Sequence, residues 1–304
     1  MLLQLGIVAA LVCATNLASR PQESSPTGLV RTGPPVPDRP SALRKALLLL
    51  RQGKTEEARQ ELQRILKTGL DDAEIYHQQA RSHLMDYYAN PRPAQARVSL
   101  SLAMEALANT LKRKPDHINA LKAKSVIHAR AELLYYDPNL AYEMAARVAR
   151  LEPHAHEYLV DLSEWLSGEV RFTEESSHRV PHDPLLGLNR SIDILEQVID
   201  GAMPFGPQES AGLFLMGKTL SRRGNFAEAI DYYRQAMTRA RNSDQQLETL
   251  REMGVSYYRV GDFNEAARSF HQALQLRNNS IDQWLLKVAI DQLNGQVPPM
   301  PASL

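Results

Sequence analysis

Residues 216–237, MGKTLSRRGNFAEAIDYYRQAM, and residues 253–274, MGVSYYRVGDFNEAARSFHQAL, carry one pattern twice. Gly217, Gly224, Phe226, Ala229, Tyr233 and Ala236 recur as Gly254, Gly261, Phe263, Ala266, Phe270 and Ala273, each displaced by 37 residues. Gly217 and Gly254 sit in the middle of an apolar helical stretch, where a missing Cβ admits a close neighbour. Gly224 and Gly261 end that helix, and Asn225 and Asp262 are N-cap candidates for the next. In the second helix apolar residues return at three- and four-residue intervals, forming one buried stripe with a small residue at its centre. Helices this short are marginal alone in water, so each pair must bury its stripe against neighbouring pairs.

This order of Gly, aromatic, Ala, aromatic and Ala resembles the tetratricopeptide repeat family across residues 210–279. The Pro that often follows the second helix is absent, with Arg241 and Asn278 in its place, and three extra residues separate the copies. The resemblance implies an all-α fold, a right-handed superhelical solenoid of about six helix-turn-helix repeats with a C-terminal capping helix.

Fainter copies extend the pattern. Residues 41–70 place Ala46, Gly53 and Ala58 at the spacing of Gly217, Gly224 and Ala229. Residues 73–88, with Asp72 as cap, pair with residues 93–114, centred on Ala103. Residues 117–136 pair with residues 139–151, where Asp137 is the N-cap, Pro138 the first helical residue and Ala141 the small one. A helix at 156–166 is followed by GEVRFTEESSHRVPHDPLLG (168–187), which has no periodicity, before residues 188–199 resume with Ser191 at the small position. From Ala58 through Ala103, Ala141, Ser191 and Ala229 to Ala266 the steps are 45, 38, 50, 38 and 37 residues, so the long step locates an insertion at 168–187. Residues 280–293 read as a last helix, with Ser280 and Gln283 spaced as a capping box and Trp284 at an aromatic framework position.

Outside the repeat domain at 41–295, residues 1–19 read as a signal peptide or N-terminal membrane anchor. The run 2–14 is apolar apart from Gln4 and Gly6, though no Lys or Arg precedes it. Residues 20–40 hold six prolines and read as a flexible linker reaching about 60 Å. Residues 296–304 read as a disordered tail. The expected location is exported or periplasmic, with a possible membrane tether.

The 35 basic and 35 acidic residues balance, which removes any global argument for nucleic-acid binding. A single cysteine, Cys13, excludes an internal disulfide framework and a thiolate metal cluster. No nucleophile elbow or phosphate loop is present, so no catalytic residue and no cofactor is expected. His154, His156, His178 and His182, with Glu157 and Asp183 beside them, match no metal-ligand spacing and read as surface side chains.

In the resembled family the first helix of each pair lines a concave groove. Carried over by position, the groove residues are His77, Arg81, Lys122, Phe214, Lys218 and Arg251, with Arg222, Tyr258 and Arg259 further along. Basic side chains predominate, so the expected partner is a protein or peptide offering acidic or carboxylate groups. The family's chaperone-tail clamp is not matched, because Phe214 and Arg251 stand at its Lys positions. The expected function is a non-catalytic protein-interaction scaffold. One alternative is an assembly subunit stacking end to end; another is a metal-binding protein or enzyme built on the insertion.

Overall fold

The computed structural model describes residues 39–89, 93–130, 133–168, 185–201 and 206–296. The expected signal or anchor, nearly all of the Pro-rich linker, the insertion between 169 and 184 with His178, His182 and Asp183, and the tail from 297 lie outside the described residues. The described elements are thirteen helices, so the chain is an all-α helical repeat. None of them is long and apolar enough to cross a membrane.

The chain divides into two compact units, residues 1–124 and 125–304. The first holds α1 (Arg39–Arg51), α2 (Thr55–Lys67), α3 (Ala73–Ala89), α4 (Pro93–Arg113) and the start of α5 (Ile118–Ala129). The second holds the end of α5, then α6 (Pro138–Leu151), α7 (His156–Leu166), α8 (Leu186–Gly201), α9 (Pro207–Arg223), α10 (Phe226–Arg239), α11 (Ser243–Arg259), α12 (Phe263–Leu276) and α13 (Ser280–Leu293).

In the first unit, Ala46 and Ala58 are fully buried, and Ala46 packs with Leu62, Ile65 and Ile75. Gly53 turns the chain between α1 and α2 at φ +74°, open to a residue without Cβ. Arg59 of α2 reaches Asp86 of α3 at 2.6 Å, and the Thr55 hydroxyl donates to the same carboxylate at 2.6 Å. Asp72 caps α3 by accepting the Glu74 amide at 2.8 Å. Ala103 is fully buried in α4.

The second unit stacks pairs α7/α8, α9/α10 and α11/α12. A Cβ on Gly217 would stand 2.7 Å from the Tyr233 ring, and one on Gly254 would stand 2.6 Å from Phe270. The small residues of α9 and α11 therefore each seat the aromatic ring of their own partner helix. Ala141, Ser191, Ala229 and Ala266 are fully buried at the small positions of the second helices. Ser191 satisfies its hydroxyl by donating to the Ser163 carbonyl at 3.0 Å. Gly224 and Gly261 adopt φ +92° and +85° in the two turns. A Cβ on Gly187 would lie 2.6 Å from the Leu166 carbonyl, so the chain re-enters α8 against the end of α7.

Four local expectations are corrected. The helix expected over 117–136 stops at Ala129, because residues 133–137 fold back onto its end. There His128 Nδ1 donates to the Tyr135 carbonyl at 2.6 Å and the Asp137 amide donates to the His128 carbonyl at 2.8 Å. Asp137 still caps α6, accepting the amides of Asn139 and Leu140 at 3.1 Å. The cap of α13 is Asn279 rather than Ser280: its backbone is extended and its side chain accepts the Asp282 amide at 2.9 Å. Gln283 instead donates to Asn278 at 2.8 Å. Asp262 caps α12 by accepting from Glu265, but Asn225 makes no side-chain cap and donates to Glu228. Trp284 is 44 % exposed beside Ile281, because among the described residues no helix follows α13 to cover it.

Candidate functional site

The first helices of three successive pairs, α7, α9 and α11, adjoin in the second unit and enclose a cavity of about 210 Å³. Val160 and Glu164 face it from α7, Ala211, Phe214 and Lys218 from α9, and Glu248 from α11. The repeat register explains the meeting: Glu248 stands six residues before Gly254, as Ala211 stands six before Gly217. Phe214 is held from beneath by Tyr233, the ring centroids 6.0 Å apart. The cavity thus has an apolar floor and charged rims.

Of the residues expected to line a groove, Phe214 and Lys218 meet here. Arg222 and Arg251 bond inside the repeat, Arg222 to a neutral carbonyl and Arg251 to a carboxylate. Arg222 donates to the Ser167 carbonyl at 2.6 Å, closing the C-terminus of α7. Arg251 grips Asp282 of α13 through Nε at 2.6 Å and Nη2 at 2.8 Å. Asp282 is fully buried, so the guanidinium serves as its counter-ion. Tyr258 is buried, its ring edge-on to Phe263 at 5.1 Å, and its hydroxyl makes no hydrogen bond among the described residues. Arg259 is half-buried. Of the four guanidinium groups behind the expected preference for acidic partners, Arg251 is neutralised by Asp282 and Arg222 is turned onto a carbonyl.

Carboxylates missed by the groove positions stand here: Glu164 and Glu248 line the cavity, and Glu157 and Asp161 precede Glu164 on the same side of α7. Burial pushes the Asp161 carboxyl up to about 6, helped by Glu157 and Glu164 on either side. Burial also raises Glu252, against the attraction of Lys218 and Arg222. The readable signal was the spacing of Glu157, Asp161 and Glu164, and of Glu248 and Glu252, each on one side of its helix.

His77, Arg81 and Lys122 lie in the first unit, where His77 and Arg81 are buried and Lys122 is half-buried. His77 stacks at 4.6 Å on His117, and both rings approach Glu74, His117 Nε2 at 3.1 Å and His77 Nδ1 at 3.6 Å. These are the described residues whose donor atoms converge as a metal ion would need. A second contact decides how the cluster works: the Ala120 amide donates to His117 Nδ1 at 3.2 Å, capping α5. With Nδ1 accepting, the neutral ring carries its proton on Nε2 and donates it to Glu74, so that nitrogen has no lone pair for a metal. The cluster acts as a hydrogen-bonded junction between α3 and α5. His154 and His156 stand 6.4 Å apart edge-on and, among the described residues, belong to no converging group of metal-ligating side chains.

Family models described as tetratricopeptide repeat match residues 209–279 and 41–68. Comparison with curated proteins gives no match. Among solved structures, Naa15/Naa10 bound to HypK-THB is similar at 16 % identity and TM-score 0.51, over 83 % of this chain and 34 % of that one. PilF of Pseudomonas aeruginosa aligns at 15 % identity and TM-score 0.45, over 82 % and 96 %. PilW, described as a widely conserved type IV pilus biogenesis factor, aligns at 12 % identity and TM-score 0.46, over 83 % and 97 %. At these identities the likeness is one of fold alone. The 209–279 match coincides with the helix pairs α9/α10 and α11/α12, whose glycines seat aromatic rings, so the chain carries tetratricopeptide repeats at 41–68 and 209–279.

Proposed function

We propose that this chain is a non-catalytic protein-interaction scaffold and that a segment of a partner protein lies across α7, α9 and α11. The observation that carries the reading is the cavity of about 210 Å³ formed by three successive first helices, α9 and α11 at matched register. Its apolar floor and charged rims are the composition of a peptide-binding surface. A photo-crosslinking residue at Ala211 should label a partner, whereas one at the exposed Gln272 of α12 should not. Equal labelling from both positions would remove the cavity as the binding face.

We also propose that the protein is exported or tethered to an envelope. The support is the apolar run at 2–14 followed by the Pro-rich stretch to residue 40. N-terminal sequencing of native protein should begin after Ala14 or Ala18, or the intact chain should sediment with membranes. A soluble chain beginning at Met1 would contradict the proposal.

A further inference from the structure

The face between α7, α9 and α11 carries more carboxylate than cation. Glu157, Asp161 and Glu164 follow one another at four- and three-residue spacing on α7, and Glu248 and Glu252 at four-residue spacing on α11. Among the described residues no ion pair reaches Glu157, Asp161, Glu164 or Glu248. Of the cations on the same face, Arg222 is bonded to the Ser167 carbonyl and Arg251 to Asp282, while Lys218 attracts the half-buried Glu252 without an ion pair among the described residues. Carboxylates crowded on one face repel one another until a cation enters.

The carboxylates are spread along two helices on either side of α9, with the apolar floor of Val160, Ala211 and Phe214 between them. They do not converge on a point, and the described donor atoms that do converge belong to Glu74, His77 and His117. A spread of negative charge over an apolar trough suits an extended chain better than an ion. We propose that the groove takes a basic segment of a partner protein, a large apolar side chain entering over Phe214 and a neighbouring Lys or Arg meeting Glu164 and Glu248. The inference rests on the groove being the binding face and adds the sign of the charge it selects.

A random-peptide display library panned against the full chain tests both points, with enriched peptides measured by fluorescence anisotropy. Enriched peptides should carry Lys or Arg beside an apolar residue. Their affinity should fall at least about tenfold on combining Glu164→Gln with Glu248→Gln, fall on Phe214→Ala, and hold on Glu228→Gln of the exposed α10 surface. Circular dichroism of each variant checks that the helices persist. Acidic or neutral peptides that ignore the Glu→Gln pair but are lost on Phe214→Ala would overturn the charge assignment and leave the groove standing. Peptides indifferent to all three groove substitutions, or no enrichment at all, would overturn both.

Discussion

Two glycines of α9, five residues apart, have opposite prospects as alanines. A Cβ on Gly212 would rest at ordinary contact, 3.4 Å from Val198 Cγ1, so Gly212→Ala should gain the helix propensity, about 1 kcal/mol. A Cβ on Gly217 would press to 2.7 Å from the fully buried Tyr233 ring. Overpacking costs about 1–3 kcal/mol, so Gly217→Ala should lose stability despite the same propensity gain. Urea midpoints moving in opposite directions support this account, and equal shifts would refute it. Asp161 makes a second prediction at this scale. Its folded pKa of about 6 lies above the unfolded value near 3.9, so the ionised group penalises the fold above that window, and the penalty disappears as pH falls through it. Asp161→Asn should therefore raise stability at pH 7.5 and do little at pH 4. Because the side chain is only partly covered, screening holds the gain to about 1 kcal/mol or less. Gly217 was legible because its role follows from a local pattern. Asp161 was not, because its titration depends on how α7 is covered.

At the scale of elements, Arg251 ties α11 to α13 through a carboxylate with no exposed surface. Arg251→Ala leaves Asp282 buried with only the Asn279 amide, and should cost about 2–4 kcal/mol in a denaturant titration. Arg251→Ala combined with Asp282→Asn should recover part of that loss; no recovery would mean that packing, not charge, sets the cost. Glu74 does the same work between α3 and α5. Burial pushes its carboxyl up, but His117, His77 and Gln78 outweigh burial and hold it well below the usual carboxylate range. That stabilisation is complete above the unfolded value near 4.3 and is lost as pH falls below it. Glu74→Gln should be less stable than the parent at pH 7 and at pH 5, with the gap narrowing by pH 3. A gap independent of pH would show that the charge on Glu74 is irrelevant. Caps such as Asp72 and Asp137 were legible because cap and capped amides lie within three residues. The early end of α5 was not, because the bonds that stop it come from a loop folding back.

Over the whole molecule the formal charge is zero, so steering of a partner has to come from one face. Association of a cationic peptide should slow as ionic strength rises, and much less so once Glu164→Gln and Glu248→Gln are combined. Stopped-flow rates that depend equally on salt in both proteins would place the interaction elsewhere. The repeating framework and the all-α class were determined by sequence alone, because glycine, alanine and aromatic spacing acts within a helix pair whose partners are close along the chain. Only the tertiary structure decided the character of the face. Arg222 closes a helix 55 residues upstream and Arg251 neutralises a carboxylate 31 residues downstream, so two side chains that read as a basic groove bond within the fold and one of them loses its charge there. A surface's charge is what remains after its ion pairs are made, and those pairs form between helices that only folding brings together.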